Sequence, residues 1–284
     1  MRTIKSKHKA IAEPIEDLIT YRVIPTKSVE MNQLDPFIFL NHHGWQEYDA
    51  NNNGLPFGPH PHRGFETVTF ILEGDLTHKD SSGSSSVIRE GGIQWMTAGS
   101  GLIHSEVSSE DFKSKGGSLE ILQLWINLPA RYKMTPPKYI GLQKEEIPML
   151  SSDEGRVVLH PISGNWDGIE GPIKPFTDIH LSWITLKAGG KVQFIIPHGQ
   201  NVLLYLVKGR VKINGDDVHQ HYLVEFNHDG ERIDMKAAED AILLFGYAAP
   251  FKEPFVAYGP FVMNTRQEIE QAYDDYHNGK FGGI

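Results

Sequence analysis

The sequence predicts an all-β protein built from two successive β-barrels. Short segments rich in β-branched and aromatic residues, such as ETVTFILEG (66–74) and LEILQLWINLP (119–129), are separated by turns rich in glycine and serine. This pattern is typical of closed β-sandwiches and barrels. The segment LVKGRVKINGDD (206–217) is comparable to ILEGDLTHKDSSG (71–83), which indicates an internal duplication. With 284 residues, the chain is long enough for two domains with separate cores.

The elements follow this plan along the chain. Residues 1–31 alternate polar and apolar side chains and predict early strands, and LDPFIFLNHHG (34–44) predicts a strand that enters a loop. Pro136 and Pro137 begin a less regular segment, so we expect a first domain at 1–135 and a second at 136–284. TRQEIEQAYDDYH (265–277) has helical spacing, with Thr265 as its N-cap.

Composition excludes several classes of function. The net charge is 27 − 36 = −9 with no Lys/Arg cluster, which argues against direct nucleic-acid binding. The chain has no cysteine, so disulfides, thiolate ligands and cysteine nucleophiles are excluded. No apolar run is long enough to cross a membrane, and the N-terminus lacks the features of a secretory signal. We therefore expect a cytoplasmic protein.

Two short motifs predict a metal site. His60-Pro-His62 and His104-Ser-Glu106 each have i, i+2 spacing, which directs both side chains to one face of a β-strand. Two such strands facing each other inside a barrel would bring three imidazoles and one carboxylate together. This donor set suits Fe(II), Mn, Ni, Co, Cu or Zn, and its open coordination positions are typical of a catalytic site.

The surrounding residues resemble a known family. GLPFGPHPHRGFETVTFILEG (54–74) is very similar to the first motif of the cupin β-barrels, whereas GGIQWMTAGSGLIHSE (91–106) departs from the general second motif. These departures, together with LQLWINLPARYKM (122–134) and the C-terminal EPFVAYGPFVMNTRQEIEQAYDDYHNGKFG (253–282), closely resemble the pirin family, a bicupin branch. The resemblance implies two cupin barrels (double-stranded β-helix, jelly-roll-like) packed together, with a short C-terminal helix folding back onto the first barrel.

The resemblance also bears on the fourth ligand. His60, His62 and His104 are expected to hold the metal, and Glu66 and Glu106 compete for the remaining protein ligand. General cupins use the glutamate of the first motif, here Glu66, whereas pirins resemble the other arrangement, here Glu106. Both glutamates stand an even number of residues from the histidines, so alternation along a strand does not distinguish them. We favour Glu106, with the other glutamate orienting an imidazole.

The second barrel is expected to lack a metal site. Aligning Gly209 with Gly74 places Ile195, Pro197 and Asn201 where the first barrel has His60, His62 and Glu66. His219-Gln-His221 followed by Glu225 has a similar spacing but lacks the glycine before it and a second ligand pair, so we do not expect it to bind metal.

Several other histidines and apolar residues lie near the motifs in the sequence. His42 and His43 precede the first motif and could approach the mouth of the site, but exposure to solvent is the expectation for them and for His78. Some of the large apolar residues near the motifs are expected to border the metal, although plain core is the better expectation for any one of them. These residues are Phe57, Phe65, Trp95, Met96, Ile103 and Trp125.

The resemblance implies an activity and an alternative to it. Pirin-like proteins are associated with quercetin 2,3-dioxygenase activity, so the first hypothesis is a dioxygenase that uses iron (or nickel, copper or cobalt) to cleave a small planar flavonol with O2. Glu106, or Glu66 in its place, would accept the hydroxyl proton. The alternative is a metal-dependent regulator that binds a transcription factor or metabolic enzyme. A third hypothesis is an oxygenase for another enediol or hydroxy-ketone. The family's usual form is a monomer.

Overall fold

The computed structural model describes the whole chain, residues 1–284, as twenty-six β-strands and two α-helices. The strands of the first half are β1 (Ile4–Lys9), β2 (Ile11–Ala12), β3 (Thr20–Ile24), β4 (Phe37–Tyr48), β5 (Phe57–His62), β6 (Phe65–Glu73), β7 (Asp75–Asp80), β8 (Ser85–Arg89), β9 (Ile93–Thr97), β10 (Leu102–Val107), β11 (Gly117–Asn127) and β12 (Lys138–Leu142). The all-β prediction is confirmed.

The second half continues the same pattern. Its strands are β13 (Leu150–Ser152), β14 (Val157–Ser163), β15 (Asn165–Trp166), β16 (Ile169–Glu170), β17 (Ile179–Leu186), β18 (Lys191–Ile195), β19 (Asn201–Lys208), β20 (Arg210–Ile213), β21 (Asp216–His219), β22 (Tyr222–Phe226), β23 (Arg232–Ala237), β24 (Ala241–Ala248), β25 (Val256–Tyr258) and β26 (Phe261–Met263). The helices are α1 (Glu110–Lys115) and α2 (Arg266–His277). Neither helix has the length and apolar character that a membrane span requires.

The chain forms two compact units, and neither is a continuous segment. The N-terminal unit comprises Ala12–Tyr21, Ile38–Glu145 and Phe251–Ile284, and the C-terminal unit comprises Met1–Ile11, Arg22–Phe37 and Glu146–Pro250. These ranges differ from the domains 1–135 and 136–284 expected from the sequence. The difference arises because β1 pairs with β22 of the C-terminal unit, whereas the last 34 residues pack with the N-terminal unit.

The N-terminal unit is built from two antiparallel sheets. A seven-stranded sheet has the order β12-β9-β6-β11-β4-β3-β2, and a four-stranded sheet has the order β5-β10-β7-β8. Ile71 and Ile121 of the first sheet pack against Leu76 and Ile88 of the second in one buried cluster. Because side chains alternate along each strand, every strand contributes one row of residues to the space between the sheets.

The C-terminal unit repeats this plan. Its sheets have the orders β1-β22-β19-β24-β17-β14-β13 and β18-β23-β20-β21. Strand for strand, β18 and β23 occupy the places of β5 and β10, and β19 occupies the place of β6. The common order supports the internal duplication that the sequence indicates.

The C-terminal helix lies in the N-terminal unit. Thr265 is its N-cap: the Thr265 hydroxyl accepts from the Glu268 N–H (3.2 Å) and the Glu268 carboxylate accepts from the Thr265 N–H (2.8 Å), as a capping box requires. Ile269 and Ala272 are buried against Phe261 and neighbouring apolar residues. The prediction of a helix over 265–277 with a packed apolar face is confirmed.

Candidate metal centre

The two histidine motifs lie on neighbouring strands of one sheet. β5 and β10 pair antiparallel, and His104 lies directly opposite His60. The sequence expectation of two strands facing each other across the barrel is therefore wrong in this detail. The strands are adjacent, and the i, i+2 alternation alone brings the side chains to the inner face of the four-stranded sheet.

The three imidazoles form a tight cluster. One ring nitrogen each from His60, His62 and His104 lie within 4.8 Å of one another. The ring centroids of His60 and His104 are 4.4 Å apart, and those of His62 and His104 are 4.9 Å apart. His62 and His104 are buried, and His60 is half-buried. Three ring nitrogens clustered in this way could hold one metal ion after small shifts of the side chains.

Hydrogen bonds fix the tautomers of the first two histidines. His60 Nδ1 donates to the carbonyl oxygen of Gly58 (2.7 Å), and His62 Nδ1 donates to the carbonyl oxygen of Pro260 (3.1 Å). A neutral imidazole that donates from Nδ1 keeps the lone pair on Nε2 for a ligand. Both Nε2 atoms are therefore available for coordination.

The unpaired ring nitrogens of His104 point most directly to a bound cation. The His104 side chain is fully buried, and neither ring nitrogen has a hydrogen-bond partner. A buried polar atom without a partner costs about 1–3 kcal/mol. A metal ion would satisfy one of these two nitrogens, so the residues present fit the metal that the donor set implies.

Electrostatics keep the cluster neutral and able to bind a cation. Burial lowers the pKa of His62 to about 3, with a further contribution from His60, and burial lowers the pKa of His104 well below its usual value. The pKa of His60 is also lowered, chiefly by burial. At neutral pH all three imidazoles are therefore unprotonated, which is the form that binds metal.

Glu106 lies beside the cluster and is firmly held. Its Oε2 lies 3.9 Å from His104 Nε2. Oε1 accepts from Thr69 (3.0 Å) and from the Gln94 amide, and Oε2 accepts from the Gln123 amide (2.7 Å). Burial raises the pKa of Glu106 to about 7, although these three donors favour the ionised form. The carboxyl group can therefore hold or release a proton near neutral pH.

Glu66 lies on the other face of its strand. Along β6, Phe65 contacts His62 and Thr69 contacts Glu106. The register of β6 with β9 and β11 is regular from Glu66 to Phe70, so Glu66 points to the opposite face. It is buried there and accepts from Thr97 (2.7 Å), and burial raises its pKa to about 7. Glu66 thus lacks the position that Glu106 has beside the histidines.

An aromatic wall borders the cluster. Trp125 lies with its ring centroid 5.4 Å from that of His62, and Phe39 stacks on Trp125 at 4.3 Å. Phe65 contacts both His62 and Trp125. Two other residues considered from the sequence lie elsewhere: Trp95 shares the face of Glu66, and Ile103 packs against the C-terminal residues around Phe261.

His78 lies next to the cluster, a position that the sequence analysis did not predict. His78 is fully buried, contrary to the expectation that it faces solvent; its Nε2 donates to Asp80 (2.8 Å). Its ring stacks on Tyr139 at 3.9 Å and lies 5.5 Å from the His104 ring. The signal was present, because His78-Lys-Asp80 has the same i, i+2 spacing as the ligand motifs.

His42 and His43 are also buried, so their expected exposure is wrong. The physical reason is that β4 continues through them to Tyr48 instead of ending in a loop. His42 Nε2 bonds to Glu120 (3.0 Å), and His43 Nδ1 bonds to Thr20 (2.9 Å).

The equivalent positions of the C-terminal unit hold apolar side chains. The inner faces of β18 and β23 carry Val192, Phe194, Ile233 and Met235, which pack into that unit's core. Ile195, the expected counterpart of His60, is exposed at the end of β18.

His219, His221 and Glu225 do not form a ligand cluster. His219 is exposed, and Glu225 pairs with Lys5 (2.8 Å) and His8 (3.0 Å). The carboxylate of Glu225 is thus engaged with the N-terminal strand.

Comparisons with known proteins agree with this architecture. The Pirin family model matches residues 18–126, and the model of the Pirin C-terminal cupin domain matches residues 182–282. A Pseudomonas aeruginosa protein named "Putative quercetin 2,3-dioxygenase" is 35% identical over 268 residues, covering 94% of this chain and 92% of that protein. A "Pirin-like protein" of Caulobacter vibrioides is 38% identical over 262 residues, covering 92% and 91%.

A solved structure extends the similarity over the full length. The crystal structure of quercetin 2,3-dioxygenase from Acinetobacter baumannii superimposes with a TM-score of 0.93 at 34% identity, covering 100% of this chain and 99% of that one. The two-barrel fold predicted from the sequence is confirmed.

Proposed function

The chain belongs to the pirin family of bicupin proteins, and from that premise we propose that it is a metal-dependent dioxygenase that cleaves a flavonol such as quercetin with O2. The observation that carries the proposal is the convergence of His60, His62 and His104 on one point, with two nitrogens of His104 left without partners. Relatives that are named for quercetin 2,3-dioxygenase activity support the choice of substrate class.

The metal is held by the three histidines, with Glu106 as the proposed fourth protein ligand. We propose Fe(II), and the same nitrogen and oxygen donors accept Ni, Co, Cu, Mn and Zn. When bound, the metal supplies Lewis acidity and redox chemistry with O2.

Glu106 is also the proposed proton acceptor. A flavonol must lose the proton of its 3-hydroxyl group before its ring becomes electron-rich enough to react with O2. Oε2 of Glu106 is the carboxylate atom nearest the histidines, 3.9 Å from His104 Nε2, so it lies where it could take up that proton. The donors Thr69, Gln94 and Gln123 keep the carboxylate in place during the transfer.

The aromatic wall suits a planar substrate. Trp125, with Phe39 stacked on it and Phe65 beside it, provides an apolar surface next to His62. Such a surface offers apolar contact to a flat ring system and keeps water from the reacting atoms. Cleavage of the flavonol would yield a depside and carbon monoxide. We also propose that the enzyme is monomeric and cytoplasmic.

Anaerobic loading with Fe(II), followed by quercetin and O2, tests this function. We expect the flavonol absorbance to fall together with O2 uptake, and both to vanish in His60→Ala. Absence of turnover in wild-type protein with measured Fe(II) bound would refute the flavonol dioxygenase and favour a regulatory role with a protein partner.

A further inference from the structure

One metal-binding histidine is oriented by the far end of the chain. His60 donates its Nδ1 hydrogen to Gly58, two residues away on the same strand, whereas His62 donates to Pro260, which is 198 residues away. Pro260 lies between β25 and β26. We define the C-terminal strap as residues 256–281, which comprise β25, β26, α2 and Phe281.

The strap is bonded to the backbone directly after His62. The Val262 N–H donates to the Arg63 carbonyl (3.0 Å), and Arg63 forms an isolated parallel bridge with Phe261. Gly64 has φ +88°, and a β-carbon there would collide with the Val262 carbonyl oxygen. The close approach of the two backbones therefore requires glycine at this position.

A buried lysine joins the same two backbones. Lys133 is 1% exposed, and its ammonium donates to the carbonyl oxygens of Gly64 (2.8 Å) and Val262 (3.0 Å). The third donation goes to Asn127 Oδ1 (2.7 Å). A buried ammonium with all three hydrogens engaged holds the backbone at Gly64, just after His62, and the strap at a fixed separation.

The helix of the strap is anchored to the residue that follows His62. Arg63 Nη1 donates to Asp275 Oδ2 of α2 (2.9 Å), and the guanidinium lies 4.6 Å from the centroid of the Phe281 ring. Both partners of the ion pair are almost fully buried. Removing one partner would leave the other charge buried without compensation, so the pair links the orientation of Arg63 to that of α2.

We propose that the C-terminal strap is a positioning element of the metal centre, which sets the tautomer and orientation of His62 through Pro260, so that strap docking and metal binding strengthen each other. This inference rests on the metal centre of the proposed function. Loss of a group that orients a metal-binding histidine typically lowers metal affinity 10–100-fold. Because binding free energies are reciprocal, a bound metal should in turn stabilise the docked strap.

Charge reversal on α2 separates this role from simple packing. Asp275→Lys places a cation against Arg63, whereas Asp274→Lys makes the same change at an exposed neighbour. In a Co(II) titration followed by visible absorption, we expect Asp275→Lys to bind about 10–100-fold more weakly than wild type, with an altered spectrum. Asp274→Lys should match wild type in both respects.

The outcomes distinguish the two proposals. Folded Asp275→Lys that binds Co(II) with wild-type affinity and spectrum would overturn the strap's role and leave the metal centre intact. Wild-type protein that binds no Co(II) would overturn the metal centre and this inference with it. If Asp275→Lys does not fold, Asp275→Asn is judged by the same criteria.

Hydrogen exchange of the unaltered protein gives an independent test. The Val262 amide is bonded to Arg63, so it exchanges when the strap opens. With Co(II) bound, we expect exchange to slow more at 261–263 than at the β19 strand of the C-terminal unit. Equal changes in the two regions, with Co(II) binding confirmed, would contradict the coupling.

Discussion

The two buried glutamates of the N-terminal unit allow a matched substitution. Glu106 and Glu66 are both almost fully buried, and burial raises the pKa of each to about 7. They differ in the face of the barrel wall on which they lie. Replacing each by glutamine removes the same negative charge and proton acceptor, so the two variants differ chiefly in position relative to the histidines.

The hydrogen bonds give the expected magnitudes. In Glu106→Gln, the new amide nitrogen must replace an oxygen that accepts from Thr69, Gln94 or Gln123, so either that neighbour reorients and gives up its present bonds or two buried donors face each other. We expect a loss of stability of about 1–3 kcal/mol. In Glu66→Gln, the amide nitrogen can take the place of Oε2, which already lacks a partner, while Oε1 still accepts from Thr97. Little stability should be lost.

The effect on catalysis should differ more strongly. Glu106→Gln removes the proposed proton acceptor, and general-base catalysis typically contributes 10²–10⁴-fold to the rate. We therefore expect turnover of quercetin to fall by about that factor, with weaker metal binding, whereas Glu66→Gln should remain close to wild type. Stopped-flow turnover, metal analysis and thermal unfolding of both variants provide the assay. A greater loss of turnover in Glu66→Gln would refute the assignment of Glu106.

Four further outcomes are expected. His104→Ala should abolish metal binding, checked by metal analysis, while circular dichroism stays native-like; unfolding would make the metal structural. Burial raises the pKa of Glu66 to about 7 in the folded protein, from 4.5 in the unfolded chain. Its contribution to stability is therefore fully present below pH 4.5, where the carboxyl group is protonated in both states, and is lost as pH rises through 7. Thermal melts of metal-free Glu66→Gln should therefore show a smaller decline between these pH values than wild type; an identical decline would contradict the shift. Trp125→Leu should raise KM for quercetin more than it lowers kcat, because part of the aromatic contact surface beside His62 is lost; an unchanged KM would exclude Trp125 from the binding surface. Removing metal with a chelator should lower Tm, since a ligand at 100 times its Kd adds about 2.7 kcal/mol; an unchanged Tm would show that the folded state binds no metal.

The sequence by itself determined the chemistry of the site. The pairs His60/His62 and His104/Glu106 are two residues apart on strands, and side chains two apart on a strand must share a face. The all-β composition and the similarity of the two halves likewise predicted two related barrels. These features are local, so they follow from the order of residues alone.

Only the tertiary structure decided which glutamate lies beside the histidines and what surrounds them. Glu66 and Glu106 are indistinguishable by burial, and the choice depends on the register of β6 with its neighbours, which contacts between distant segments set. The burial of His78 and the bond from His62 to Pro260 also arise from such contacts. A single strand fixes which residues share a face, but only the assembled sheets fix what that face meets.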